Sequence, residues 1–157
     1  MKKITTFLTF ADRAEEAVNF YVSVFKDSKI ESLVRMGGEG PGAKGALLHA
    51  TFHLHGQGFM AMDGGSYFTF AQGTSLFVDC ESQEEVDDLW DKLSEGGEQQ
   101  PCGWLKDRYG VSWQIVPSAL GELMQGKDPE KSRKVMEAML KMHKIDIQTL
   151  REAYNQG

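Results

Sequence analysis

The run TFLTFADRAEEAVNFYVSVF, ending at Phe25, returns about 70 residues later as SLFVDCESQEEVDDLWDKL, ending at Leu93. An internal repeat of this length commits the chain to building one supersecondary unit twice. Each copy opens on a short alternating apolar run, Phe7 to Phe10 and Leu76 to Val78, with the period of a strand. Each run then meets a capping pattern, Asp12 three residues before Glu15 and Ser82 three before Glu85. Helical spacing follows: Ala14, Ala17, Val18 and Tyr21 in one copy, Val86, Leu89, Trp90 and Leu93 in the other. The repeated unit is strand, then helix.

After the first helix, Lys29 to Met36 alternates as a strand, and Gly37 to Gly45 is a glycine-rich connection without the GxxxxGK[ST] frame of a phosphate loop. That loop is expected to act as a flap. Ala46 to His55 is the clearest alternation in the chain, with Leu48, Ala50, Phe52 and Leu54 on one face and Leu47, His49, Thr51, His53 and His55 on the other. Gly56 turns the chain and Phe59 to Met62 returns as a fourth strand, completing a β-α-β-β-β unit. The second unit is shorter. Its helix stops at Gly96 and Gly97, a short strand fits Glu98 to Trp104, Lys106 to Gly110 is a turn with Lys106, Asp107 and Arg108 solvated, and Val111 to Val116 is the last strand. The rest is helical: Ser118 to Met124, then a helix opened by Asp128 and Pro129 and running to about His143, then one capped by Asp146. The stripe Val135, Met136, Met139, Leu140 and Met142 has to be buried, on this chain's own sheet or on a second subunit.

The expected class is therefore α+β: two β-α-β-β-β modules, residues 1–65 and 66–117, forming a curved mixed sheet, with a C-terminal helical extension over 118–157, together making one structural domain. No segment approaches the roughly 18 apolar residues of a membrane span, and MKKITTF runs into strand pattern without a secretory apolar core. A cytoplasmic protein is expected. The formal net charge of -6 argues against a phosphate-backbone surface, so small molecules or proteins are the expected partners rather than nucleic acid or membrane. Two cysteines, Cys80 and Cys102, are expected as free thiols, Cys80 being a small core residue.

ITTFLTF followed by AEEAVNFY, the segment HATFHLHGQGFMAMDGG and the segment CGWLKDRYGVSWQIVP together resemble the vicinal oxygen chelate superfamily, the glyoxalase, bleomycin-resistance and dioxygenase group. The similarity is to its PhnB-like branch, which carries the name 3-demethylubiquinone-9 3-methyltransferase. The resemblance implies the glyoxalase-like fold. In the superfamily's metal enzymes the ligands come from the first and last strands of each module, and the equivalent positions here are about Thr5, Met60, Ser75 and Gln114. Thr, Met, Ser and Gln lack the charge and imidazole donors that divalent metals want, so the metal centre is expected to be missing and no cofactor is assigned.

The remaining chemistry falls to the histidines and one thiol. His49 matches a histidine common in the branch and by parity lies on the cleft side with Thr51 and His53; it is the first candidate for hydrogen bonding or acid–base work. Its alternative is a satisfied polar residue under the C-terminal helices. Alternate strand residues stand about 6 to 7 Å apart, so His53 and His55 could share a metal, against the plainer reading of solvated residues near a strand end. Cys102, beside Trp104, is a candidate nucleophilic or redox thiol, against a packed residue at a strand bend. Trp113 has the parity of the core face. The expected function is a small-molecule binding protein or metal-free enzyme with a cleft lined by Phe7, His49, Thr51, Met60, Ser75, Trp104 and Gln114. The alternatives are a metal-dependent lyase, isomerase or oxygenase, a quinone-precursor methyltransferase, and a partner-binding module using the Met-rich tail. The methyltransferase is disfavoured, since no glycine-rich strand-to-helix turn is present to cradle S-adenosylmethionine. A homodimer extended by the tail is the expected assembly.

Overall fold

The computed structural model describes residues 2–35 and 47–156; the glycine-rich Gly37 to Gly45 expected as a flap lies outside them. The chain divides into two compact units, one ending at Phe70 and the other beginning at Ala71.

In the first unit, β1 (Thr6–Phe10) leads into α1 (Ala14–Val24), followed by β2 (Lys29–Arg35), β3 (Leu47–Leu54) and β4 (Gln57–Asp63). The four strands form one sheet in the order β1-β4-β3-β2, with β1 parallel to β4 and the other pairs antiparallel. The apolar stripe of α1 is fully buried at Ala14, Ala17, Val18 and Tyr21. It belongs to a core shared with Leu8, Phe10, Ala50, Phe52, Phe59 and Ala61, in which the rings of Phe52 and Phe59 stack with centroids 5.4 Å apart. At the hairpin between β3 and β4, His55 (φ 48) and Gly56 (φ 82) are both left-handed, the backbone that a two-residue turn between twisted strands requires.

Two sequence expectations change here. Leu47 is buried and Leu48 is 46% exposed, the reverse of simple alternation. The register explains it: Val34 pairs with His49 but Arg35 with Leu47, so a bulge at Leu48 flips the parity of the strand's first residues. The second concerns the start of α1. Arg13, not Asp12, is the N-cap, with φ 65 and no side-chain cap. The carboxylate of Glu15, expected to reach back to the cap, instead receives both Arg35 Nε at 2.7 Å and Arg35 Nη2 at 2.6 Å. Asp63 takes over the capping from the end of β4, accepting from the Ala14 amide at 2.8 Å.

The second unit repeats the plan: β5 (Leu76–Cys80), α2 (Gln83–Ser94), β6 (Glu98–Gln99), a short 3-10 turn (Pro101–Gly103), β7 (Trp104–Lys106) and β8 (Ser112–Pro117). Its sheet has the order β5-β8-β7-β6, again with the first and last strands parallel. Here the local capping pattern forms, Ser82 Oγ accepting from the Glu85 amide at 3.1 Å while the Glu85 carboxylate accepts from the Glu81 amide at 3.2 Å. Val86, Leu89, Trp90 and Leu93 of α2 are buried, as are Leu105, Trp113 and Ile115 of the sheet. Gly97 has no room for a side chain, because a Cβ there would stand 2.0 Å from the Lys106 carbonyl oxygen where β6 meets β7.

The chain then continues into α3 (Ser118–Met124), α4 (Pro129–Leu140), which ends before His143, and α5 (Ile147–Asn155). Val135 of α4, Leu150 of α5 and Ile145 from the connection between them are buried against Val116 of β8, with Met124, Met139, Met142 and Tyr154 packed around them. The methionine stripe is thus mostly covered by its own unit, leaving Met136 at 38% and Leu140 at 60% exposure. No described helix is long and apolar enough to cross a membrane.

Candidate functional site

In the first unit α1 covers one face of the sheet, and the expected site residues stand on the other. Phe7 pairs with Met60, and Met60 with Thr51, so the three side chains form a row across β1, β4 and β3. His49 is the next residue of β3 with that parity. Its ring centroid lies 6.2 Å from that of Phe7 at an interplanar angle of 57°. Phe7 is 43% exposed and Val34, the register partner of His49, is 49% exposed. The result is an open, largely apolar face on which β3 presents His49 and Thr51, with His53 further along toward the hairpin.

In the second unit the equivalent row is Phe77, Gln114 and Trp104, by register across β5, β8 and β7. Gln114 Nε2 donates to Ser75 Oγ at 2.9 Å, which fixes the amide. Phe77 is 59% exposed and shares this face, a residue the sequence reading passed over although its parity follows from Ser75. An open depression of about 500 Å³ borders Trp104 together with Gln72, Gln100 and Pro101. On each sheet, then, an exposed phenylalanine of the first strand shares its row with a residue of the last strand.

The two thiols differ. Cys80 is fully buried, and burial, with smaller contributions from Glu85 and Asp79, pushes its thiol up to about 12. Cys102 is partly exposed in a left-handed conformation, φ 65, in the short 3-10 turn, and its amide donates to the Met142 carbonyl at 2.8 Å. This places the thiol at a sharp bend held by the C-terminal segment. The turn residues nearby are a correction: Asp107 is only 3% exposed. Its Oδ1 accepts from the amides of Tyr109 at 2.9 Å and Val111 at 3.0 Å, and its Oδ2 from the Trp113 indole at 2.9 Å. The sequence reading missed this because the indole that draws the carboxylate inward is six residues away.

His53 and His55 do not share a strand face. His55 is the exposed turn residue and its amide donates to Ser28 Oγ at 3.1 Å, while His53 stays in the strand with Nδ1 3.3 Å from Glu31 Oε1. Among the described residues no group of three or more His, Cys, Asp and Glu side chains stands close enough to hold a metal ion. At the positions that the resemblance equates with metal ligands, the Thr5 hydroxyl donates to the Lys2 carbonyl at 3.2 Å, Met60 offers only a thioether, and Ser75 and Gln114, joined by a bond from Nε2 to Oγ, offer only neutral oxygens. That donor set does not fit a divalent metal.

Residues 2–116 match the sequence model of a family described as 3-demethylubiquinone-9 3-methyltransferase. A putative 3-demethylubiquinone-9 3-methyltransferase, PhnB protein, from Bacillus cereus is 45% identical over 74% of this chain and 99% of its own, with a TM-score of 0.65. A Pseudomonas aeruginosa protein of known structure is 24% identical over 74% of this chain and 98% of its own, with a TM-score of 0.63. The fosfomycin resistance protein FosX from Listeria monocytogenes is 15% identical over 74% of this chain and 93% of its own, at a TM-score of 0.52, and shares the fold. No curated protein matches the sequence.

Proposed function

Since the chain belongs to the 3-demethylubiquinone-9 3-methyltransferase family, the PhnB-like branch of the glyoxalase fold, we propose that it binds a small organic molecule on the open face of its sheet without a divalent metal. The observation that carries this reading is the contact of Phe7 with His49. An exposed ring, a flanking thioether from Met60 and the imidazole of the neighbouring row, in contact with that ring, offer an apolar platform with few polar groups, the usual make-up of a small-molecule site. The imidazole orients the ligand and the ring supplies contact area. Thr51 adds a hydroxyl in the row of Phe7 and Met60, and the Trp104, Gln114 and Ser75 face of the second sheet has the same balance of aromatic surface and one fixed amide. His49 and Cys102 are the groups available for proton transfer or nucleophilic chemistry if a reaction follows binding.

Methyl transfer fits this frame less well. The modules carry mixed four-stranded sheets and not the doubly wound parallel sheet whose glycine-rich turn holds a nucleotide-like cofactor. Calorimetric binding of S-adenosylmethionine to the full chain would reverse that preference.

The test is a native mass spectrometry screen of small aromatic and acyl compounds, followed by titration into protein labelled at the methionine methyl groups. A one-to-one adduct that moves the Met60 methyl resonance and binds about tenfold more weakly to Phe7→Ala supports the proposal. Retention of no compound, or binding that ignores both Phe7→Ala and His49→Ala, overturns it. Elemental analysis of untagged protein checks the metal clause, which fails if one divalent ion per chain survives purification.

A further inference from the structure

At the hairpin end of the first sheet, away from His49, a separate pocket of about 300 Å³ is lined by Lys2, Thr5, Glu31, His53, Gln57 and Gly58 among others. Its geometry depends on a defect in β2. Ile30 pairs with Phe52 and Ser32 with Thr51, so Glu31 is an extra residue without a cross-strand partner. Bulges of this kind re-aim a side chain, and here the Glu31 carboxylate comes within 3.3 Å of His53 Nδ1. That nitrogen is buried and has no hydrogen-bond partner, the approach of Glu31 being an ion-pair distance without hydrogen-bond alignment. Lys29 shares the carboxylate, at 3.7 Å. A carboxylate beside Nδ1 favours the tautomer with its proton there, which leaves Nε2 as an acceptor. Opposite His53 in the register stands Gly58, whose Cβ, if it had one, would be 3.8 Å from Nε2. A side chain at residue 58 would thus stand in ordinary contact with the Nε2 edge of the imidazole, and glycine leaves that edge uncovered from this side.

We propose that this pocket is a second binding site, for a small hydroxy-monocarboxylic acid whose carboxylate pairs with Lys2 and whose hydroxyl donates to His53 Nε2. The bulged Glu31, the orphaned Nδ1 and the side-chain-free Gly58 each act on the same imidazole. Lys2 is the cation of the lining, and Glu31 the opposing charge. A phosphate dianion would meet that carboxylate with one lysine to offset it, whereas a monocarboxylate is matched by the lysine alone. A neutral imidazole accepts from a hydroxyl and cannot accept from a carboxylate, which is why the hydroxyl is part of the assignment. The pocket lies at the hairpin end of the sheet face that also carries Phe7 and His49, and its proposed ligand does not depend on the function proposed for that row.

The experiment titrates the full chain with lactate, propionate and inorganic phosphate while following the imidazole resonances of His53 and the amides of Gly56 to Gly58. Lactate is expected to saturate, propionate to bind about tenfold more weakly for want of the hydroxyl, and phosphate to be the weakest of the three. Lys2→Met and His53→Gln should each reduce lactate affinity about tenfold. Gly58→Val, which covers the Nε2 edge of His53 while keeping every polar group, should abolish saturation, with an otherwise unchanged amide spectrum confirming that each variant is folded. The proposal is overturned if lactate does not saturate, if propionate or phosphate equals or exceeds it, or if lactate affinity is unmoved by Gly58→Val or by His53→Gln.

Discussion

Asp63 caps Ala14 across 49 residues of sequence: Oδ1 of the β4 carboxylate accepts the amide that opens α1 at 2.8 Å. Its other oxygen accepts from the Leu47 amide at the start of β3, at 3.0 Å. One side chain thus ties the helix start and a strand start to the end of the strand that pairs with both β1 and β3. Asp63→Ala is expected to cost about 2 to 3 kcal/mol in urea unfolding, combining a helix cap with a charge-assisted bond to a second amide. Asp12→Ala, at the residue that the sequence pattern favours, should cost no more than a few tenths of that scale, about 0.5 kcal/mol or less.

A second prediction rests on Asp107 and Trp113. The carboxylate is buried and accepts three hydrogen bonds, so Asp107→Asn replaces an acceptor facing the indole, or one facing two amides, with a donor. A loss of about 2 to 4 kcal/mol is expected, in the range for leaving buried donors unsatisfied. Trp113→Phe removes only the indole bond and part of the packing. A double-mutant cycle between the two should show a coupling above about 0.5 kcal/mol, and additivity would deny the contact.

Cys80 gives a pH dependence with a definite sign. Its folded thiol is held at about 12 against an ordinary value of 9.0, chiefly by burial. Between those values the unfolded chain releases a proton that the folded chain keeps, so the unfolded state is favoured as pH rises. Stability from this group should therefore be intact below pH 9.0 and fall as pH climbs toward 12, and Cys80→Ala should flatten that limb. In native protein at pH 8 a disulfide reagent is expected to leave Cys80 unmodified until denaturant is added. Rapid native labelling of Cys80, read by peptide mass, would contradict the burial.

What the sequence disclosed follows the range of each interaction. The Ser82 and Glu85 pattern spans three residues and formed as expected, because both partners sit in one helical turn. The same pattern at Asp12 failed because its glutamate was taken by Arg35, 20 residues on, and its cap came from Asp63. Parity put His49, Thr51 and His53 of β3 on one face, since alternation survives wherever the ladder is regular, whereas the row that joins Thr51 to Met60 and Phe7 needed the strand register. It misplaced Leu47 and Leu48, and hid the approach of Glu31 to His53, at the two points where β2 and β3 slip register. A bulge adds one residue without marking the sequence, and the site geometry turns on such single residues.

The last prediction concerns the segment beyond residue 116, which the family match does not include. Gln83, the first residue of α2, acts as a substitute peptide group for it. Its Oε1 accepts from the Ile147 amide at 2.8 Å and its Nε2 donates to the Ile145 carbonyl at 3.0 Å. Beside it Lys144 pairs with Asp87 at 3.0 Å, and the amides of Cys102 and Gly103 donate to Met142 and His143. These bonds seat the connection between α4 and α5, whose Ile145 is fully buried over Val116. Gln83→Ala leaves a backbone amide and a carbonyl without partners, so a loss of about 2 kcal/mol is expected. Because the bonds are confined to one end of α5, hydrogen exchange should accelerate in α5 before it does so in β5 and β8. Equal acceleration throughout the second unit would mean that the extension and the sheet open as one cooperative body, and would overturn the view of Gln83 as a local clamp.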